Sequence, residues 1–126
     1  MSTVKCNDLT NVTGGIPTVK GQKLIPTAWI TFNGTGTPAI LDSENVSSIA
    51  DIGTGRWDIN FAVALANANY AVTVGSNDTT NIGSGQQASP YTFAHTTADF
   101  TFVNMSYTGS YFDVTNLSAI VMGGQA

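Results

Sequence analysis

An all-β fold, a single antiparallel β-sandwich of jelly-roll-like type carrying an extended N-terminal arm, is what the sequence predicts, and three observations predict it. Apolar residues recur with a period of two in short runs, most clearly Trp57, Ile59 and Phe61 against Asp58 and Asn60. Turn residues, chiefly Asn-Gly and Gly-x-Gly, punctuate those runs at short intervals. Charged residues make up only 10% of the chain, with Thr, Asn, Ser and Gly in their place, so long helices built on Glu, Lys and Leu are not in prospect.

At 126 residues the chain has the size of one domain with one core. Residues 1–26 are broken by Gly14-Gly15, Pro17, Gly21 and Pro26 and read as an extended arm with little apolar surface of its own. Residues 27–126 read as the sandwich. Its first strand is expected at Thr27, where Trp29, Thr31 and Asn33 alternate with Ala28, Ile30 and Phe32 up to the turn Asn33-Gly34-Thr35-Gly36. Strands over 39–43 and 45–50 follow, then a turn over 51–55 and the Trp57 strand. Residues 62–69 are rich in Ala, the best helix former, but Asn67 and Asn69 interrupt them and they run directly into Tyr70, Val72 and Val74; a crossover loop is expected. Residues 77–89 read as a long exposed loop, and the remaining strands are expected over 91–95, 99–107 and 111–122, the last bent near Asn116. Short strands at this spacing indicate a sandwich or jelly roll.

Charge and cysteine content narrow the functions. The net charge is −4 with four basic residues, too few to displace counterions from a phosphate backbone, so nucleic acid is not an expected partner. Cys6 is the single cysteine, which excludes an intrachain disulfide and a thiolate metal site within one chain. Residues 1–8 lack the basic region and apolar run of a secretory signal, and no segment has the length of a membrane span; a soluble chain without membrane insertion is expected.

The stretch Ala28-Trp29-Ile30-Thr31-Phe32-Asn33-Gly34-Thr35-Gly36-Thr37, then Ser43-Glu44-Asn45-Val46-Ser47-Ser48-Ile49, Gly53-Thr54-Gly55 and Ala68-Asn69-Tyr70-Ala71-Val72 resembles the C-terminal tip module of bacteriophage tail fibres. The resemblance covers about a third of the chain in order and spacing. It implies a β-rich homotrimer made in the host cytoplasm and carried on the virion surface. Because only the short arm precedes the module, a fibre tip, a head fibre and a capsid decoration protein all stay open. Trimeric association would also close strand edges that so few charged residues leave unguarded.

The arm holds Lys5, Lys20 and Lys23, three of the four basic residues. It is expected to attach the domain to a capsid or fibre protein of the same virion by strand addition, with Val4, Leu9, Val12, Ile16 and Val19 as apolar anchors. For contact with host glycans the expected residues are Asn77, Asp78, Gln86 and Gln87 of the long loop and the pair Tyr107 and Tyr111 around Gly109. The plainer reading makes the two tyrosines flanks of a hairpin. A free carbohydrate-binding module and a glycan depolymerase are the alternatives to a virion component.

No catalytic, cofactor or metal residues are expected. His95 with Asp99 and a serine could form a hydrolytic triad, but no Gly-x-Ser-x-Gly elbow is present and His95 lies in a strand-like run. Two carboxylates across a cleft would suit a glycosidase, yet Asp42, Glu44, Asp51, Asp58, Asp78, Asp99 and Asp113 lie mostly beside turns, where Asp bonds its own backbone. Neither Asp42 with Glu44 nor Asn77, Asp78 and Asn81 has the ordered ligand spacing of a calcium loop. The paired glycines at 34/36, 53/55 and 83/85 lack the third glycine and helix of a dinucleotide site.

Overall fold

The computed structural model describes residues 24–76, 94–106 and 108–125, and these form seven strands without a helix. The strands are β1 (Ala28–Asn33), β2 (Ala39–Glu44), β3 (Val46–Gly53), β4 (Arg56–Phe61), β5 (Tyr70–Ser76), β6 (Asp99–Val103) and β7 (Leu117–Gly123). They build two antiparallel sheets, one in the order β2-β1-β7-β5 and one in the order β3-β4-β6. The expected β-sandwich is therefore present.

Alternation decides which side chains fill it. On β1, Ala28, Ile30 and Phe32 point inward; on β4, Trp57, Ile59 and Phe61 do so; and on β7, Leu117, Ala119 and Val121 do so, all of them buried. Phe100 and Phe102 of β6 complete the layer. Two aromatic clusters hold the sheets together. Phe32, Trp57 and Phe102 meet edge to face with centroids 5.3–6.0 Å apart, and Phe61 contacts both Tyr70 and Phe100 at 5.8 Å. Edge-on contacts of this kind contribute about 0.5–1.5 kcal/mol each beyond the area they bury.

The loop over 62–69 is a crossover, as expected, and it closes one end of the core with Leu65. Its backbone is tied to the C-terminal segment by Ala66 N and Asn67 N, both donating to the Gly124 carbonyl. Gly124 sits at φ 72, and a Cβ there would stand 2.7 Å from Leu65 Cδ1, so a glycine is needed for Leu65 to enter.

β1 buries its even-numbered residues, and Trp29 stands half-buried on the outer face opposite Ile120 and Glu44. Two sequence expectations are corrected in detail. The run expected over 99–107 ends as a strand at Val103, because buried Asn104 turns its Nδ2 to the Phe112 carbonyl at 2.9 Å and the chain folds back around Gly109 at φ 87. The run expected over 111–122 becomes a strand only at Leu117. Val114 ahead of it is pulled inward by the Gly34 amide, which donates to its carbonyl at 2.9 Å. Of the strand expected over 91–95, residues 91–93 lie outside the described residues; His95 forms an isolated bridge with Phe100.

Candidate functional site

β2 and β3 differ from every other strand in having no buried position. β2 is the outer strand of one sheet and β3 the outer strand of the other, so the chain passes from sheet to sheet along one side of the sandwich. Asn45 makes the corner at φ 54, a left-handed conformation that Asn tolerates better than most residues. Its side chain fixes the corner by donating to the Thr27 and Val63 carbonyls and accepting from Val63 N at 2.8 Å.

The exposure has a local cause. In β2, Ile40 and Leu41 are adjacent, so they cannot share one face of a pleated strand. In β3 the apolar residues Val46, Ile49 and Ile52 are spaced by three, which also breaks a period of two. A bulge between Val46 and Ser48 restores the first two to the inner side, opposite Phe61 and Ile59. A second irregularity between Asp51 and Gly53 leaves Ile52 outside, 41% exposed, alongside Ile40 at 37% and Leu41 at 59%. The result is an edge ribbon with three exposed large apolar side chains and the carboxylates Asp42, Glu44 and Asp51. Edge strands offer unpaired backbone groups to other chains, and charges, bulges or a cover limit that pairing.

The far end of β3 leads into a second feature. The turn Gly53 to Arg56 packs on the segment 104–113: Asn104 N donates to the Gly55 carbonyl at 2.8 Å, and Gly55 N donates to Asp113 Oδ1 at 2.7 Å. Arg56 extends over the ring of Tyr111, with Cζ 5.2 Å from the centroid, and its Nε is buried without a hydrogen-bond partner. Tyr111 is bridged to Met105 and so flanks a turn, yet 39% of its surface is exposed.

Of the residues expected to contact glycans, Tyr111 alone falls within the described residues; Asn77, Asp78, Gln86, Gln87 and Tyr107 lie outside them. The expected attachment residues Val4, Leu9, Val12, Ile16 and Val19 lie outside them as well. His95 is exposed and stacks on Tyr70 at 4.1 Å, and no hydrogen bond joins it to a serine among the described residues. Asp99 accepts from Thr96 Oγ1, Asp58 from Thr101 Oγ1, Asp42 from Ser43 N, Asp51 from Gly53 N and Asp113 from Gly55 N. Most carboxylates thus serve local turns and pairings. Among the described residues no group of three or more His, Cys, Asp and Glu side chains could hold a metal.

Tyr70, among the described residues, has a shifted acidity. Burial, then the charge of Asp99, raises its phenol to about 12, and its hydroxyl lies 2.9 Å from both the Thr96 and the Asp99 carbonyl. This is a neutral core tyrosine that ties β5 to the start of β6.

Sequence reasoning missed Arg56, which is far from Tyr111 in the chain and belongs to no motif. The odd spacing of apolar residues in β3 was the available signal for the ribbon. No family model, curated protein or solved structure matches the chain.

Proposed function

We propose that this chain is a non-enzymatic structural protein of a bacteriophage particle, an exposed homotrimeric fibre tip, head fibre or capsid decoration that contacts host surface glycans. The observation that carries the assembled state is the β2–β3 ribbon, where Ile40, Leu41 and Ile52 stand exposed on two consecutive edge strands. An obligate subunit interface supplies the cover such a surface lacks in one chain. The phage assignment rests on the resemblance of residues 28–72 to fibre-tip modules, and the arm of residues 1–26 is the attachment element.

Labelling purified particles with an antibody to the sandwich, followed by cryo-EM, tests this directly. The expected result is density in threefold groups at one class of site, lost when residues 1–21 are deleted. Particles without the protein, or particles decorated equally by the truncated chain, overturn the corresponding part of the proposal.

A free carbohydrate-binding module is the second reading. It is favoured by the rigidly framed pairing of Arg56 with exposed Tyr111. Binding to a glycan array by a protein that never associates with particles would select it.

A further inference from the structure

We propose that the corner formed by Arg56 and Tyr111 binds a sugar that carries a carboxylate. The inference rests on the glycan-contact part of the reading above and is independent of the assembly part.

Arg56 is the one cation among the described residues, against Asp42, Glu44, Asp51, Asp58, Asp99 and Asp113. With six carboxylates to choose from, an arginine whose role is structural would be expected to pair. Among the described residues none forms an ion pair with it. The two carboxylates of its own corner are engaged elsewhere, Asp51 with the Gly53 amide at 3.0 Å and Asp113 with the Gly55 amide at 2.7 Å. Arg56 Nε is shut off from solvent with no acceptor, an arrangement that disfavours a charged group unless something else is gained.

The seat of the guanidinium is built by backbone. Gly53 lies at φ 136, and a Cβ there would stand 2.7 Å from an Arg56 terminal nitrogen, so any other residue would push the guanidinium aside. Gly55, at φ 67, lets the turn approach the Asn104 carbonyl so closely that a Cβ would stand 2.5 Å from it. The segment that carries Tyr111 is held to this turn by the Asn104 and Asp113 hydrogen bonds. The cation and the ring are therefore placed before any ligand arrives, which is how a site avoids ordering losses on binding.

The chemistry selects the ligand class. A guanidinium presents paired N–H donors that match the two oxygens of a carboxylate. A tyrosine ring with an exposed part offers an apolar surface for the C–H face of a pyranose and a hydroxyl for its polar rim, and exposed Ser110, its chain neighbour, adds a further hydroxyl. The surrounding carboxylates disfavour a phosphate dianion or a polyanion, so a single sugar acid on an otherwise neutral glycan fits best.

The test uses the full chain titrated with a glucuronic-acid-terminated disaccharide and with its neutral glucose-terminated counterpart, followed by NMR. The acid should bind at least ~10-fold more tightly, as loss of one charged hydrogen-bonded pair implies, with the largest shifts at the Tyr111 ring and the Arg56 side chain. Arg56→Gln should reduce the two ligands to parity. Gly53→Ala, which keeps the charge and displaces it, should do the same, and it serves if Arg56→Gln fails to fold. Tyr111→Ala should weaken both ligands together. Equal binding of acid and neutral sugar by the wild-type chain, or a preference that survives both Arg56→Gln and Gly53→Ala, overturns the proposal. Neither result bears on whether the chain forms trimers.

Discussion

The strand β4 and the ribbon β2–β3 are neighbours in sequence and opposites in burial. β4 places Trp57, Ile59 and Phe61 at 0%, 0% and 7% exposure, while the ribbon leaves Leu41 at 59% and Ile52 at 41%. Both are antiparallel strands of similar length, and both contain large apolar residues. What separates them is spacing. An unbroken period of two puts every apolar side chain on one face, whereas adjacent or third-position residues force some of them outward. Hydrophobicity alone therefore does not tell a core strand from an exposed strand; its phase does.

Truncation should divide the two regions most sharply at Trp57. It is fully buried and meets both Phe32 and Phe102, so Trp57→Ala should lower the stability of the fold by about 3–5 kcal/mol in denaturant unfolding. A loss below about 1 kcal/mol would mean the aromatic cluster is not what joins the sheets. A smaller effect is expected from adding volume to the same core. At Gly34 a Cβ would stand 2.5 Å from Trp57 Cζ2 and 2.8 Å from Leu117 Cδ1, and Gly34→Ala should destabilise by about 1–3 kcal/mol.

Tyr70 gives the core a pH dependence of its own. Its folded-state pKa, about 12, lies above the ordinary value of 10.0, so its contribution is complete below pH 10 and is lost as pH rises toward 12. Tyr70→Phe should flatten that alkaline decline and lower stability at neutral pH by about 1 kcal/mol, the typical worth of the lost hydroxyl hydrogen bond. An alkaline transition unchanged in Tyr70→Phe would assign it to another group.

The same contrast explains what could be read before the fold was known. Strict alternation identified β4 and the inward residues of β5, and Gly53-Thr54-Gly55 marked the tight turn between β3 and β4. Asn67 and Asn69 correctly argued against a helix over 62–69. The outward turn of Trp29 was not legible, because each face of β1 carries at least one large apolar side chain and the choice depends on pairing with β7. Nor was the Arg56–Tyr111 corner, since it depends on the return of residues 104–113 onto the β3–β4 turn, a contact between distant segments. Local pattern records which residues share a face; it does not record which distant segment will meet them.

The smallest effect on the fold, and the largest on assembly, is expected from the ribbon itself. Leu41→Ser combined with Ile52→Ser removes exposed apolar surface without touching the core, so the near-ultraviolet circular dichroism of buried Trp57 should not change. Analytical ultracentrifugation of the full chain at micromolar concentration then tests the central claim. The wild-type chain should sediment with the mass of a trimer and the double variant with that of a folded monomer. A wild-type chain that sediments as a monomer, or a double variant that keeps the trimer mass, would contradict the account of β2 and β3 as the surface through which copies meet.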